Sequence, residues 1–145
     1  ARWRRRAPSV IGIDTNVLLR AILDDDPAQS PAAKGLIEAA KAAGDTIRID
    51  RLVLAEAVWT LARRYRYTRE QLVEVVEAIS AAPELRLEDD RAISDALAVF
   101  RDGRLDFADA LIGVLNRRAG CSTTYTFDRD AAGSPDYAPV PSPKA

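Results

Sequence analysis

Five acids stand apart in the sequence at places where chemistry could be done: Asp14, Glu56, Asp106, Asp109 and Asp128. Asp14 follows the β-branched run Val10-Ile11-Gly12-Ile13, which reads as a buried strand, and precedes apolar residues at helical spacing. A carboxylate where a parallel strand hands over to a helix lies at the sheet edge where α/β proteins place ligands. The position suits a metal-binding carboxylate. It also suits a helix N-cap, with Asn16 closing the turn. The pattern recurs at Asp128, which ends the Thr- and aromatic-rich run 122–127 and is followed by Arg129-Asp130.

Glu56 is the one charge inside Leu52-Val53-Leu54-Ala55-Glu56-Ala57-Val58-Trp59-Thr60-Leu61-Ala62. Helical spacing groups it with Leu52, Val53, Trp59 and Thr60, and a carboxylate buried there needs a partner. A salt bridge to Arg63 or Arg64 would serve, and so would metal ligation. Asp106 and Asp109 lie three apart at a helix start, a capping-box spacing that needs no function. The same spacing lets a metal share the two carboxylates.

The chain contains no histidine. That excludes Ser-His-Asp and Cys-His catalysis, a histidine general base and imidazole-built zinc sites. A site made only of oxygen ligands suits a hard cation, Mg²⁺ or Mn²⁺. Converging acids left unneutralised would repel one another and raise some of their pKa values. One or two divalent cations relieve the repulsion, lower the pKa of a water and stabilise charge on a leaving phosphate oxygen.

Alternating strand and helix signals must position these residues. Strand signals fall at 10–13, at Thr-Ile-Arg-Ile-Asp (46–50), at Leu85-Arg86-Leu87 and at 122–127. Helices are expected from Thr15 to Leu23, from Ser30-Pro31 to about Ala43, and over 52–62. Another opens at the capping box Thr68-Arg69-Glu70-Gln71 and runs to about Ala82, making a hairpin suited to packing or a dimer surface. Two more run from Asp89 or Asp90 to about Phe100, and from Asp106 to Gly120. Asp24-Asp25-Asp26 reads as a solvated loop, and the prolines beyond Gly133 as an irregular tail with Tyr137-Ala138-Pro139-Val140 as an edge segment. This alternation predicts one α/β domain, a mostly parallel sheet flanked by helices on both faces, with strand ends gathered at one edge. The expected organisation is a basic arm at 1–8, a domain at 9–133 and a Pro-rich tail at 134–145.

With 48% apolar and 30% charged residues, the chain has an ordinary globular balance. No apolar run approaches the roughly 20 residues that cross a membrane, and the lone Cys121 fits a reducing, cytoplasmic setting. Net charge is −1, but Arg2, Arg4, Arg5 and Arg6 crowd one end and leave 17 basic against 22 acidic residues elsewhere, a net charge of −5. The body is thus not a generally basic nucleic-acid binder. A polyanion would be held by a local patch, for which Arg20, Arg63, Arg64, Arg66, Arg117 and Arg118 are candidates, and by metal ions.

Four short motifs in order, Ile13-Asp14-Thr15-Asn16, Leu54-Ala55-Glu56, Phe107-Ala108-Asp109-Ala110-Leu111-Ile112 and Thr126-Phe127-Asp128-Arg129-Asp130, resemble the PIN domain, and most closely the VapC-type toxin ribonucleases. The resemblance covers roughly residues 9–131. It implies that Asp14, Glu56 and Asp109 hold Mg²⁺ or Mn²⁺, that Asp128 completes the pocket, and that Asn16 and Thr126 support it by hydrogen bonds. Asp106 also matches a frequent family acid, less securely, as does Asp130. The implied activity is endonucleolytic RNA cleavage by a metal-activated water attacking phosphorus in line. The implied partners are RNA, a second copy of the chain and a small antitoxin protein. An RNA-processing nuclease outside a toxin–antitoxin system would share the same pocket chemistry, and two further rivals are a catalytically inactive RNA- or protein-binding module and a phosphotransferase with Asp14 as nucleophile. Such a phosphotransferase usually carries another acid two residues on, where this chain has Asn16.

Overall fold

The first strand, β1 (Val10–Gly12), runs into helix α1 (Thr15–Leu23) through Asp14, whose side chain accepts the Val17 N–H at 3.0 Å. A computed structural model describes residues 7–143; Arg2, Arg4, Arg5 and Arg6 of the basic arm lie outside the described residues. Then come α2 (Gln29–Ala43), β2 (Thr46–Ile49), α3 (Arg51–Arg64), α4 (Arg69–Ala81), β3 (Leu85–Leu87), α5 (Asp90–Asp102), α6 (Phe107–Arg118), β4 (Thr124–Thr126), α7 (Arg129–Ala132) and β5 (Tyr137–Pro139).

All strand pairs are parallel, as the alternation predicts. The hydrogen-bonded ladder falls into two parts, β1-β2-β3 and β4-β5. Ile47 and Ile49 of β2, the central strand, are fully buried, as are Leu54 and Leu61 of α3 and Val114 of α6. α3 packs on both α1 and α6 and so joins the two halves.

The acidic triplet is structural, not merely solvated. Asp26 Oδ1 accepts the Ala28 and Gln29 N–H groups at 2.9 and 2.7 Å and so opens α2, which begins before the expected Ser30. Asp25 pairs with Arg20 at 2.7 Å and Asp24 with Lys34 at 3.0 Å. The Thr68–Gln71 capping box forms as expected. The proline-rich stretch read as a tail is drawn into the fold, because β5 pairs with β4 and buries Tyr137 and Asp136.

Candidate active site

Three of the five acids begin helices. Asp14 caps α1, Asp106 caps α6 by accepting the Asp109 N–H at 2.8 Å, and Asp128 caps the short α7 by accepting the Asp130 N–H at 2.9 Å. Each such bond uses one carboxylate oxygen. The capping and metal-ligand interpretations are therefore compatible at the same residue. The Thr126 Oγ1 accepts the Asp128 N–H at 3.0 Å. Asn16, in the first turn of α1, is exposed and lines the same groove as Asp14.

Glu56 corrects an expectation. It is exposed, with Leu52 and Trp59 exposed beside it, so no partner is required by burial. Among the described residues it makes no salt bridge to Arg63 or Arg64. Three candidate arginines are committed elsewhere: Arg20 to Asp25, Arg117 to Asp136 at 3.2 Å, and Arg118 to Asp95 at 3.2 Å.

Neutralisation separates the acids at the sheet edge. Asp50, after β2, and Glu88 and Asp89, after β3, are all paired with Arg48 or Arg51. Asp14, after β1, has no such cation, nor have Glu56, Asp106, Asp109 or Asp128 among the described residues. The consequence is plainest at Asp109. Burial first, and then the charges of Asp106 and Asp128, raise its pKa above the ordinary value.

The fold thus brings Asp106 and Asp128 within electrostatic reach of Asp109, while Glu56 lies on α3, which packs on α6, and Asp14 caps α1, which packs on α3. Among the described residues no three acidic side chains are close enough to enclose a metal ion. The donor set still fits a divalent cation in kind: all oxygen, lacking its own counter-charge, and with Asp109 disfavoured as a lone anion.

Tyr137 is a site residue that sequence reasoning missed. Its hydroxyl donates to the Asp109 carbonyl oxygen at 2.7 Å, tying β5 to the first turn of α6. Burial, and then Asp109, Asp106 and Asp136, push its pKa up to about 12, so it stays a donor at neutral pH. The Tyr137-Ala138-Pro139-Val140 edge signal was its one trace in the sequence. Helix α7 was missed too, although Asp128 has the same capping chemistry as Asp14.

A family model for the PIN domain matches residues 11–133. The chain belongs to the PIN domain family, whose fold is of nuclease type and generally metal-dependent. No curated protein matches the chain. No helix among the described residues is long and apolar enough to cross a membrane.

Proposed function

We propose that this PIN domain is a Mg²⁺- or Mn²⁺-dependent endoribonuclease, the toxin of a toxin–antitoxin pair. It acts in the cytoplasm as a homodimer restrained by a small antitoxin protein. The observation that carries the catalytic part is the acid set without ion-pair partners among the described residues, with Asp109 destabilised as an anion by burial and then by its acidic neighbours. Asp14, Glu56, Asp109 and Asp128 would hold the cation, joined by Asp106. A divalent ion there supplies a water of lowered pKa and stabilises charge on the leaving oxygen. The chain's own groups do the positioning. Caps fix the Asp14, Asp106 and Asp128 carboxylates, Thr126 holds the Asp128 turn, and Tyr137 anchors the turn bearing Asp109. Water adds to phosphorus as the bond to one neighbouring nucleotide oxygen breaks.

The test is Mn²⁺ calorimetry with RNA cleavage on wild type, Asp14→Asn and Asp109→Asn. Wild type should bind Mn²⁺ and cut RNA, and both variants should lose most of each while remaining folded. Undiminished cleavage by Asp109→Asn would overturn the assignment. Co-purification with a small DNA-binding protein encoded next to this chain tests the toxin role. A second reading, a binding module whose acids only cap helices, draws on the three capping bonds and on the unclosed acid set. It predicts no Mn²⁺ heat at all.

A further inference from the structure

A hollow of about 190 Å³ lies where α3, α4 and the end of α5 meet the start of α6. Trp59 and Arg63 of α3 form one wall, Tyr67 and Phe100 lie in the others, and Asp106 marks the end that adjoins the acids. Its two arginines have different tasks. Arg69 is occupied, donating to the Phe100 and Leu105 carbonyl oxygens at 2.8 Å each and lying 4.3 Å from the Phe100 ring centre. It is a post that holds α4 against α5. Arg63 is exposed and has no ion-pair partner among the described residues.

Trp59 is 53% exposed, a large apolar group left half in water beside an uncommitted cation. Glu56, Trp59 and Arg63 follow one another at helical spacing on a single exposed face of α3. An indole, a free guanidinium and a carboxylate in line match the parts of a nucleotide chain: base, phosphate, and the next phosphodiester at the metal-binding acids. Single strands bind by stacking bases on aromatic rings while cationic groups follow the backbone. A duplex keeps its bases stacked and offers the indole none.

We propose that this hollow is a subsite for single-stranded RNA, in which Trp59 stacks on an unpaired base and Arg63 takes the adjoining phosphate. It rests on the ribonuclease reading of the acids and adds how the strand is presented to them. The room suits one planar base, not a strand of bases, so the subsite sets the register of one nucleotide relative to the cut. Selection then favours unpaired regions of RNA.

The chain has two tryptophans, so a Trp3→Phe background leaves Trp59 as the one reporter. Its emission is titrated in EDTA with a short single-stranded RNA of mixed sequence, and with the same RNA annealed to its complement. The single strand should quench the emission to saturation and the duplex should not. Measured by anisotropy of labelled RNA, Trp59→Ala and Arg63→Ala should each weaken binding on the order of tenfold, whereas Trp59→Phe keeps most of the affinity. In the metal-loaded protein the alanine variants should raise KM more than they lower kcat. Both residues are exposed, so unchanged thermal midpoints will verify that the variants fold. Unaltered emission with RNA, or unaltered affinity in both alanine variants, overturns the proposal. So does a response to an apolar helical peptide and not to RNA, which assigns the hollow to a protein partner. RNA cleavage without quenching removes the subsite and leaves the nuclease. Quenching without cleavage under any divalent cation removes the nuclease and leaves the subsite.

Discussion

Adding one methyl group at Gly113 tests how α6 is held against the last strand. Replacing a helix-interior glycine by alanine ordinarily stabilises a protein by about 1 kcal/mol. At Gly35 in α2 a Cβ would meet nothing within 4 Å, so Gly35→Ala should gain that amount. At Gly113 in α6 the new Cβ would lie 2.8 Å from Tyr137 Cε2 and 3.1 Å from Asp136 Cβ, both on buried residues. Overpacking of this kind costs about 1–3 kcal/mol. Displacing Tyr137 also loses its bond to the Asp109 carbonyl, about 1 kcal/mol more. Against the propensity gain, Gly113→Ala should come out destabilised by about 1–3 kcal/mol. At this size each 1 kcal/mol moves the midpoint by about 2–4 °C. Thermal melts followed by circular dichroism should therefore separate the two variants in sign, Gly35→Ala rising and Gly113→Ala falling. Calorimetry should show weaker Mn²⁺ binding only for Gly113→Ala, because Tyr137 anchors the turn that carries Asp109. If both substitutions raise the midpoint alike, the packing of Tyr137 on α6 is not as described.

Other substitutions separate the two roles of the acids. Asp14→Asn keeps a good N-cap and should hold the wild-type midpoint while losing Mn²⁺ affinity, whereas Asp14→Ala should also lose about 1 kcal/mol of stability. Equal stability losses would show that the cap depends on charge. The raised pKa of Asp109 means that the folded protein binds this proton more tightly than the unfolded chain, whose pKa is near 3.8. Its favourable contribution is full below that value and is lost as pH rises through the raised pKa. In EDTA, Asp109→Asn should consequently be more stable than wild type at neutral pH, with the gap closing toward acid. Thermal midpoints across that range check this, and a less stable variant at neutral pH would contradict it. Arg117→Ala leaves the buried Asp136 carboxylate without its 3.2 Å partner and should cost about 1–3 kcal/mol. In an Arg117→Ala background Asp136→Asn should recover part of that loss in urea melts, and strict additivity would argue against the pairing.

What could be read locally was read well. Helix α1 begins after Asp14, α6 after Asp106, and the Thr68–Gln71 box forms, since each depends on bonds between residues three apart. The β-branched runs and the strand–helix alternation were enough for a parallel α/β fold, because a period of two or 3.6 is written in the chain itself. Short motifs in fixed order placed Asp14, Glu56, Asp109 and Asp128 as the acids to watch.

Neutralisation could not be read that way. Nothing near Glu88 or Asp89 in sequence marks them as bound to Arg48 and Arg51, while Asp14 has no such partner among the described residues, because those pairs span up to 40 positions. Tyr137 reaches Asp109 across 28 positions, from a stretch whose prolines suggest an irregular tail. The exposure of Glu56 and Trp59 likewise follows from which face of α3 the core leaves uncovered, a choice made by α1 and α6. Periodicity says that a helix has faces, and only packing says which one meets water. Sequence alone therefore determined the main strands and helices and the caps at Asp14, Thr68 and Asp106, and it named the acids to test. Tertiary structure decided which acids lack a counter-charge among the described residues, since Coulomb interactions depend on distance in space and not along the chain.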